Sequence, residues 1–236
     1  MRLKPFCILS IVVLFISSAS FVRASPWALP EDPLLYHDLK VLADEGIVDL
    51  PVTTWPIPWP DIAQAIERVQ RSSSLPTRVR PSFNRITQAL HRESQAGSGA
   101  FYLSAGAKTE NSENTARIAT IPRTTGELGI GTSWLGDALA LGIESHFSYA
   151  RDGQDVDWRL DNSYIGAVLG NWILSASLLP RQWGPGFDGS LLLSTQSRPL
   201  PSLTLERRQS TRSKTLNFLG PWRFIVSASG LYSYKD

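Results

Sequence analysis

The feature that most constrains the fold of this 236-residue chain is a set of long segments in which apolar residues alternate with small or polar ones. The clearest of these segments are 127–134, 137–149 and 222–234. A period of two predicts β-strands, and segments of roughly nine to thirteen residues are longer than most globular strands. They match the tilted strands of a transmembrane β-barrel, in which one face contacts lipid and the other lines a wet interior.

Weaker alternating segments bring the prediction to about nine strands. They are 100–109, 115–121, 157–169, 171–180, 189–194 and 202–208. Aromatic residues sit near several strand ends, as in the girdles of membrane barrels; they are Trp134, Phe147, Tyr149, Trp222, Tyr232 and Tyr234. We therefore predict a mainly β protein in which residues 98–236 form a transmembrane antiparallel β-barrel. Because a barrel in lipid has to close, we expect this barrel to be incomplete in the given chain. A soluble β-sandwich or jelly roll, with shorter strands, is the alternative fold.

The first 24 residues predict a cleaved secretory signal. Arg2 and Lys4 form a short basic start, an apolar run covers 6–16, and the sequence VRA at 22–24 ends in a small-x-small cleavage pattern. The apolar run is too short to be a transmembrane helix. Cys7 is the one cysteine, so the exported chain has no disulfide and depends on a core or a closed sheet.

The charge balance excludes one class of partner. Three of the 23 Lys and Arg residues, and none of the 21 Asp and Glu residues, lie in the leader, so the exported chain is nearly neutral. We therefore predict no nucleic-acid partner. All eight tryptophans lie outside the leader, and tryptophan is favoured where one side of a residue is apolar and the other is wet.

Residues 25–97 predict a small helical module. Asp32 is a candidate N-cap ahead of Pro33, and Gly46 stands where a glycine would end the helix. Two further helices are predicted at about 60–71 and 82–94, after a proline-rich extended crossing. Because the module precedes the first strand, we expect it to face the periplasm, with a possible periplasmic partner, or to plug the barrel interior.

Two stretches of the chain resemble the capsule assembly Wzi family of Gram-negative outer membranes. The first is LADEGI at 42–47, followed by PVTTWP at 51–56 and WPDI at 59–62; the second is QWGPGFDGSLLLS at 182–194, followed by RPLP at 198–201. The resemblance implies a helical bundle ahead of a large outer-membrane β-barrel, surrounded by outer-membrane lipid. It also implies a lectin-like role in holding capsular or extracellular polysaccharide at the cell surface, with no cofactor.

An aromatic and basic set of residues is the candidate polysaccharide site. Trp183 offers a stacking face, and arginines would donate charge-assisted hydrogen bonds to an acidic polymer; they are Arg181, Arg198, Arg207 and Arg208. The same residues have a structural interpretation. The WGPG segment at 183–186 fits a barrel turn or a loop folded into the interior, and the arginines fit interior ion pairs with Glu206 or Asp188.

The sequence offers weak support for an enzyme. Glu144, His146 and Ser148 share one face of a predicted strand, and a His-x-Ser pair is similar to that of barrel-embedded lipid hydrolases, where imidazole activates the hydroxyl. Only three histidines are present and Cys7 is in the leader, so no zinc spacing appears. We therefore predict a non-enzymatic outer-membrane protein, with a barrel-embedded lipid hydrolase and a general diffusion porin as alternatives.

Overall fold

The computed structural model describes residues 25–72, 75–93, 98–107, 126–149, 156–184, 193, 198–210 and 220–230. Several predictions lie outside these residues. They are the leader, the strand at 115–121, nearly all of the strand at 189–194, and the last part of the strand at 222–234.

The predicted helical module is confirmed in its three helices. They are α1 (Pro33–Asp44), α2 (Trp59–Ser72) and α3 (Arg80–Glu93). The Asp32 carboxylate accepts hydrogen bonds from the backbone N–H groups of Leu34 and Leu35 at 3.1 and 3.0 Å, which is the N-cap arrangement. Gly46 follows α1 with a φ of +65°, a conformation that a residue with a side chain rarely adopts. One apolar core joins the three helices; its completely buried members are Leu39, Leu42, Trp55, Ile57, Ile62 and Ile86.

The proline-rich crossing between α1 and α2 is extended, as predicted. It contains two short strands, β2 (Thr54–Trp55) and β3 (Ile57–Pro58), and β3 pairs with β1 (Trp27–Ala28). The Trp55 ring is completely buried and stacks on Tyr36 with ring centroids 5.1 Å apart. The crossing is therefore part of the module core.

In the part of the chain that the structure describes, an antiparallel sheet of eight strands follows the module. Its strands are β4 (Ser98–Ala107), β5 (Gly126–Leu135), β6 (Leu139–Tyr149), β7 (Val156–Arg159), β8 (Tyr164–Leu169), β9 (Trp172–Ser177), β11 (Ser202–Arg207) and β12 (Ile225–Ser229). The remaining strand, β10 (Gln182–Trp183), pairs with β2 of the module. Sheet neighbours are also neighbours along the chain, except that β7 lies between β6 and β8 and β10 lies between β9 and β11. This is the up-and-down pattern of a barrel wall. Among the described residues β4 and β12 form the two edges, so this wall is an open arc.

The single uninterrupted strand predicted at 157–169 is wrong, because a β-bulge divides it. Both β7 and β8 pair with β6, with His146 opposite Arg159 and Gly142 opposite Tyr164. Four residues of the bulged strand (160–163) therefore face three residues of β6 (143–145). Asn162 in the bulge has a φ of 67°. Apolar and polar residues still alternate within β7 and within β8, on either side of the extra residue.

The two faces of the sheet have the compositions predicted from the alternation. Leu128, at 59% exposure, represents the outer face. Other exposed apolar residues of this face are Ile130, Trp134, Leu139, Leu141, Ile143, Phe147, Ile165, Leu174, Leu203, Leu205 and Val226. The inner face carries small and polar residues that are buried, such as Ser133, Glu144, Ser148, Ser175, Ser177, Ser202, Thr204 and Glu206. An apolar exterior around a polar interior is the arrangement of a membrane barrel.

The two ends of the sheet differ in their connections. At one end, which we call the turn end, residues 136–138 join β5 to β6 and residues 170–171 join β8 to β9. β11 ends and β12 begins at the same end, where β4 also begins after the helical module. At the opposite end, which we call the loop end, β4 and β9 end and β11 begins.

The helical module packs against the inner face of the sheet and against its turn end. Trp27 lies over β8, with its ring 5.5 Å from that of Tyr164 in an edge-to-face contact. At the turn end, the Asp61 carboxylate accepts hydrogen bonds from the backbone N–H and the hydroxyl of Ser210, both at 2.6 Å. The inner face is therefore covered by protein along β8, β9 and β11.

Candidate functional site

Arg181 lies inside the sheet, against a row of hydroxyl groups. Its Nη2 donates hydrogen bonds to Thr204 Oγ1 at 2.8 Å, to Ser202 Oγ at 3.2 Å and to Ser177 Oγ at 3.4 Å. These three side chains belong to the inner face of β9 and β11 near the loop end. The Arg181 Nε is buried and has no hydrogen-bond partner among the described residues, so part of the guanidinium donor capacity is not used by the protein there.

Trp183 lies in β10, which pairs with the module. Residue 183 is opposite Thr54, Gln182 is opposite Trp55, and the N–H of Gly184 donates to the carbonyl of Thr53 at 2.9 Å. Residues 181–184 of the segment that leaves β9 at the loop end thus fold inward and meet the module. Residues 185 and 186 of the WGPG segment lie outside the described residues. The Trp183 Nε1 is buried without a hydrogen-bond partner among the described residues.

Arg207 occupies a different surface from Arg181. It is the last residue of β11 and lies directly opposite Trp172 of β9, and directly opposed residues point to the same side of a sheet. Trp172 is an exposed residue of the outer face. The Arg207 guanidinium lies 3.8 Å from the centroid of the Trp222 ring, a cation–π distance. Arg207 is therefore on the outer face at the turn end.

The two remaining candidate arginines lie at opposite ends of the sheet. Arg208 is half-buried at the turn end, where its backbone N–H donates to the carbonyl of Asn171 at 2.9 Å. Arg198 is exposed and lies near the loop end, three residues before Pro201. The structure thus brings Arg181 and Trp183 into one inward segment and separates them from Arg207 and Arg208; Asp188 lies outside the described residues.

Glu206 is the centre of a buried network that the sequence indicated only in part. Its Oε2 accepts a hydrogen bond from Arg223 Nη2 at 2.7 Å, and its Oε1 accepts one from Trp27 Nε1 at 2.6 Å. Arg223 also donates to the carbonyls of Thr54 and Pro56. An interior ion pair of Glu206 was among the expectations, but its partner is an arginine that was not among the candidates. In the alternating segment 222–234, Arg223 falls between Trp222 and Phe224, and the tertiary contact identifies it as the partner of Glu206.

The histidine of the hydrolase alternative lies beside a carboxylate. His146 Nε2 is 3.0 Å from Glu144 Oε1, and both side chains are largely buried on the inner face. Ser148, two residues further along β6, is also buried. Next to this group, the Ser163 hydroxyl of the bulge accepts from the Glu144 N–H at 2.9 Å and donates to the Glu144 carbonyl at 3.2 Å, so the bulge fixes the backbone of Glu144.

The described residues lack two features. No helix among them is long and apolar enough to cross a membrane. Within the same residues, no group of three or more His, Cys, Asp or Glu side chains is arranged to hold a metal ion.

The fold and the two faces define a class of protein: an antiparallel membrane β-barrel wall whose polar interior is covered by an N-terminal helical module. The family model described as capsule assembly protein Wzi matches residues 102–235, more than half of the chain. The chain belongs to the capsule assembly Wzi family.

Two similar proteins support this assignment. An uncharacterized 55.8 kDa protein of the cps region of Klebsiella pneumoniae is 24% identical over 203 residues, which cover 85% of this chain and 39% of that protein. The solved structure of Escherichia coli Wzi, an outer-membrane protein involved in group 1 capsule assembly and a carbohydrate-binding β-barrel, matches with a TM-score of 0.67. That match is 21% identical and covers 87% of this chain and 45% of the solved one. The chain spans less than half the length of both relatives.

Proposed function

We propose that this protein takes part in the assembly or surface attachment of capsular or extracellular polysaccharide, by lectin-like binding and without catalysis. The observation that carries the proposal is the match of the family model along the barrel wall, residues 102–235. A related solved barrel is carbohydrate-binding, and the inner face and inward loop of this chain carry aromatic and basic side chains suited to an acidic polymer.

The orientation that we propose places the turn end, with the helical module of residues 25–97, on the periplasmic side. Two turns at that end contain only residues 136–138 and 170–171, and outer-membrane barrels have short periplasmic turns and longer extracellular loops. The strand β4 starts at the turn end directly after the module, which agrees with a module that stays in the periplasm after export of residues 1–24 as a signal. A periplasmic partner would then reach the exposed side of the module.

Within this orientation, we assign polysaccharide binding first to the loop-end residues Arg181, Trp183 and Arg198. Arg198 is exposed, and the Nε of Arg181 and the Nε1 of Trp183 are buried donors without partners among the described residues. Buried donors without partners are costly and favour a polar ligand or water. Arg207 and Arg208 remain predicted contributors, but they lie at the other end of the sheet.

The decisive experiment deletes the gene and measures the polysaccharide retained on the cells and released to the medium. We expect deletion to release polymer, wild-type protein to restore retention, and Trp183→Ala and Arg198→Ala to restore less. Glu67→Gln, on the exposed side of α2, is a control for expression. Unchanged retention after deletion would contradict the proposal.

Two assays separate the alternatives. A general diffusion porin would admit solutes into proteoliposomes without any effect on polysaccharide. We expect no such flux, because Thr204 and Glu206 on the inner face are buried by protein, which favours a closed interior in this part of the barrel. A lipid hydrolase would lose acyl hydrolysis in detergent when Ser148 is replaced by Ala. We expect no hydrolysis with either form, because Ser148 is buried on the inner face, away from the lipid-facing side of the sheet.

A further inference from the structure

Arg181 is a cation on the inner face of the sheet, and its hydrogen bonds go to neutral hydroxyl groups. Its Nη2 donates to Thr204 Oγ1, Ser202 Oγ and Ser177 Oγ, and these three side chains are buried. In the part of the chain that the structure describes, no carboxylate contacts the guanidinium. A charge in a buried environment is costly unless an opposite charge matches it. The hydroxyls therefore solvate the charge of Arg181 without neutralising it.

Glu206 is the acidic residue of the same strand, but its carboxylate is already bound by other groups. It lies two residues beyond Thr204 on β11, about 6.5–7 Å further along the inner face. Its Oε2 accepts a hydrogen bond from Arg223 Nη2 at 2.7 Å, and its Oε1 accepts one from Trp27 Nε1 at 2.6 Å. The Arg223 side chain is 5% exposed, so this ion pair is buried and its charges cancel. Arg181 is left without a counter-charge of its own among the described residues.

Two buried N–H groups of the inward segment at 181–184 lack acceptors among the described residues. They are Arg181 Nε and Trp183 Nε1. Successive side chains of an extended strand point to opposite sides, and Gln182 of β10 points to the helical module, where its Nε2 donates to the Tyr36 hydroxyl at 3.5 Å. Arg181 and Trp183 therefore share the other side of the segment, which faces the barrel wall at Thr204. The two unused groups are both donors, so an acceptor with a negative charge would satisfy them.

We propose that Arg181 and Trp183 form an interior subsite for one compact monovalent anion, either the carboxylate of an acidic sugar or chloride. A carboxylate suits the subsite better, because its two oxygens can accept separately from Arg181 Nε and Trp183 Nε1. The subsite is also next to the loop end, since Ser177 ends β9 and Ser202 begins β11 there. The anion site itself stands without the polysaccharide proposal; only the choice of an acidic sugar as its occupant rests on that proposed function.

The test is thermal unfolding of the purified protein in a neutral detergent at constant ionic strength. The salts are sodium glucuronate, sodium chloride and the sodium salt of a bulky sulfonate buffer, to which glucose is added as a neutral sugar. We expect glucuronate to raise the Tm to a plateau as the subsite fills, chloride to raise it less, and glucose to leave it unchanged. Trp183→Phe keeps an aromatic ring but removes the N–H, so it should weaken the apparent affinity for glucuronate about tenfold. Arg181→Gln removes the charge and should abolish the response.

Trp134→Phe is the matched control, since Trp134 is an exposed tryptophan of the outer face, and it should keep the full response. A larger rise with chloride than with glucuronate would support the subsite and identify chloride as its occupant. The same Tm in all three salts would overturn the proposal, as would equal losses of response in Trp134→Phe and Trp183→Phe. A rise with glucose equal to that with glucuronate would also overturn it, because binding would then need no charge. None of these outcomes depends on the polymer released after gene deletion, so the subsite and the proposed function can fail separately.

Discussion

Trp27 and Glu206 are 179 residues apart in the chain, yet the Trp27 Nε1 donates a 2.6 Å hydrogen bond to the Glu206 Oε1. Each residue is 2% exposed. Trp27 belongs to the first strand of the helical module, and Glu206 belongs to the barrel wall. The bond therefore joins the two parts of the protein through a carboxylate that is buried together with its arginine partner, Arg223.

Replacing Glu206 by Gln should loosen the module from the wall. The substitution keeps an acceptor for Trp27 but leaves the buried Arg223 guanidinium without its counter-charge, and breaking a buried ion pair in this way costs about 3–5 kcal/mol. We expect a lower Tm in detergent and faster proteolysis between the module and β4. Glu67→Gln removes the exposed pair with Arg71 and should cost less than about 1 kcal/mol; equal effects of the two variants would contradict the role of Glu206.

A methyl group added at Gly142 should disturb the contact between Trp27 and the wall. A Cβ at this position would lie 2.4 Å from the Tyr164 ring, which is buried and meets Trp27 edge to face. Because the ring has to move, Gly142→Ala should destabilise the protein by about 1–3 kcal/mol. Gly99→Ala in β4 is the matched control, since its nearest atom is the Ser133 carbonyl oxygen at 3.6 Å. The check is chemical denaturation of both variants, and equal midpoints would count against this packing argument.

The sequence identified the sheet and its two faces because alternation depends only on neighbouring positions. Leu128 and Ile130 are exposed on the outer face, and Ser133 is buried on the inner one, as alternation predicted. The three helices were predictable from apolar spacing and from the cap at Asp32. The family followed from motifs rather than from this periodicity.

The bulge, the inward loop and the separation of the candidate arginines could not be predicted, because they depend on contacts between elements that are distant in the sequence. The bulge at 160–163 leaves alternation intact on both sides, so one continuous strand was the natural prediction. The inward course of the loop at 181–183 is fixed by pairing with Thr54 and Trp55. The position of Arg207 on the outer face follows from its register with Trp172, and the candidate arginines therefore do not form one surface.

The pair of Asp38 and Arg85 should make the module less stable in acid. Asp38 accepts two hydrogen bonds from Arg85, at 2.6 and 2.7 Å. Burial alone would raise the pKa of this carboxyl, but the bonds from Arg85 and Ser82 hold the pKa below its usual value. The ion pair therefore stabilises the fold above the unfolded pKa, about 3.9, and this stabilisation is lost as the pH falls through the lower folded pKa.

Thermal unfolding of the wild type and of Asp38→Asn over a range of pH checks this prediction. The difference in Tm should be largest near neutral pH and should shrink below about pH 4. A difference that does not change with pH would mean that Asp38 acts through packing rather than through its charge.

Asp61 should have the opposite dependence on pH. Burial raises the pKa of its carboxyl, and the two hydrogen bonds from Ser210 offset this only in part. A folded pKa above the unfolded one gives stability that is complete below about pH 3.9 and is lost as the pH rises through the folded pKa. The Tm of the wild type should therefore fall relative to that of Asp61→Asn as the pH rises from acid. If the Tm of both proteins changed with pH in the same way, the raised pKa of Asp61 would be contradicted.

Ser163 should matter because its hydroxyl replaces the backbone partner that the bulge removes. The hydroxyl accepts from the Glu144 N–H and donates to the Glu144 carbonyl. Ser163→Ala would leave both backbone groups without this partner, and an unpaired buried polar group costs about 1–3 kcal/mol. Ser133→Ala is the matched control on the same inner face, because the buried Ser133 Oγ has no hydrogen-bond partner among the described residues. Removal of the Ser133 hydroxyl should leave the free energy of unfolding unchanged or raise it slightly. Denaturant titration of the two variants checks this prediction. Equal losses of stability in Ser163→Ala and Ser133→Ala would contradict it, because the hydrogen bonds between Ser163 and the Glu144 backbone would then contribute no more than an inner-face serine without a partner.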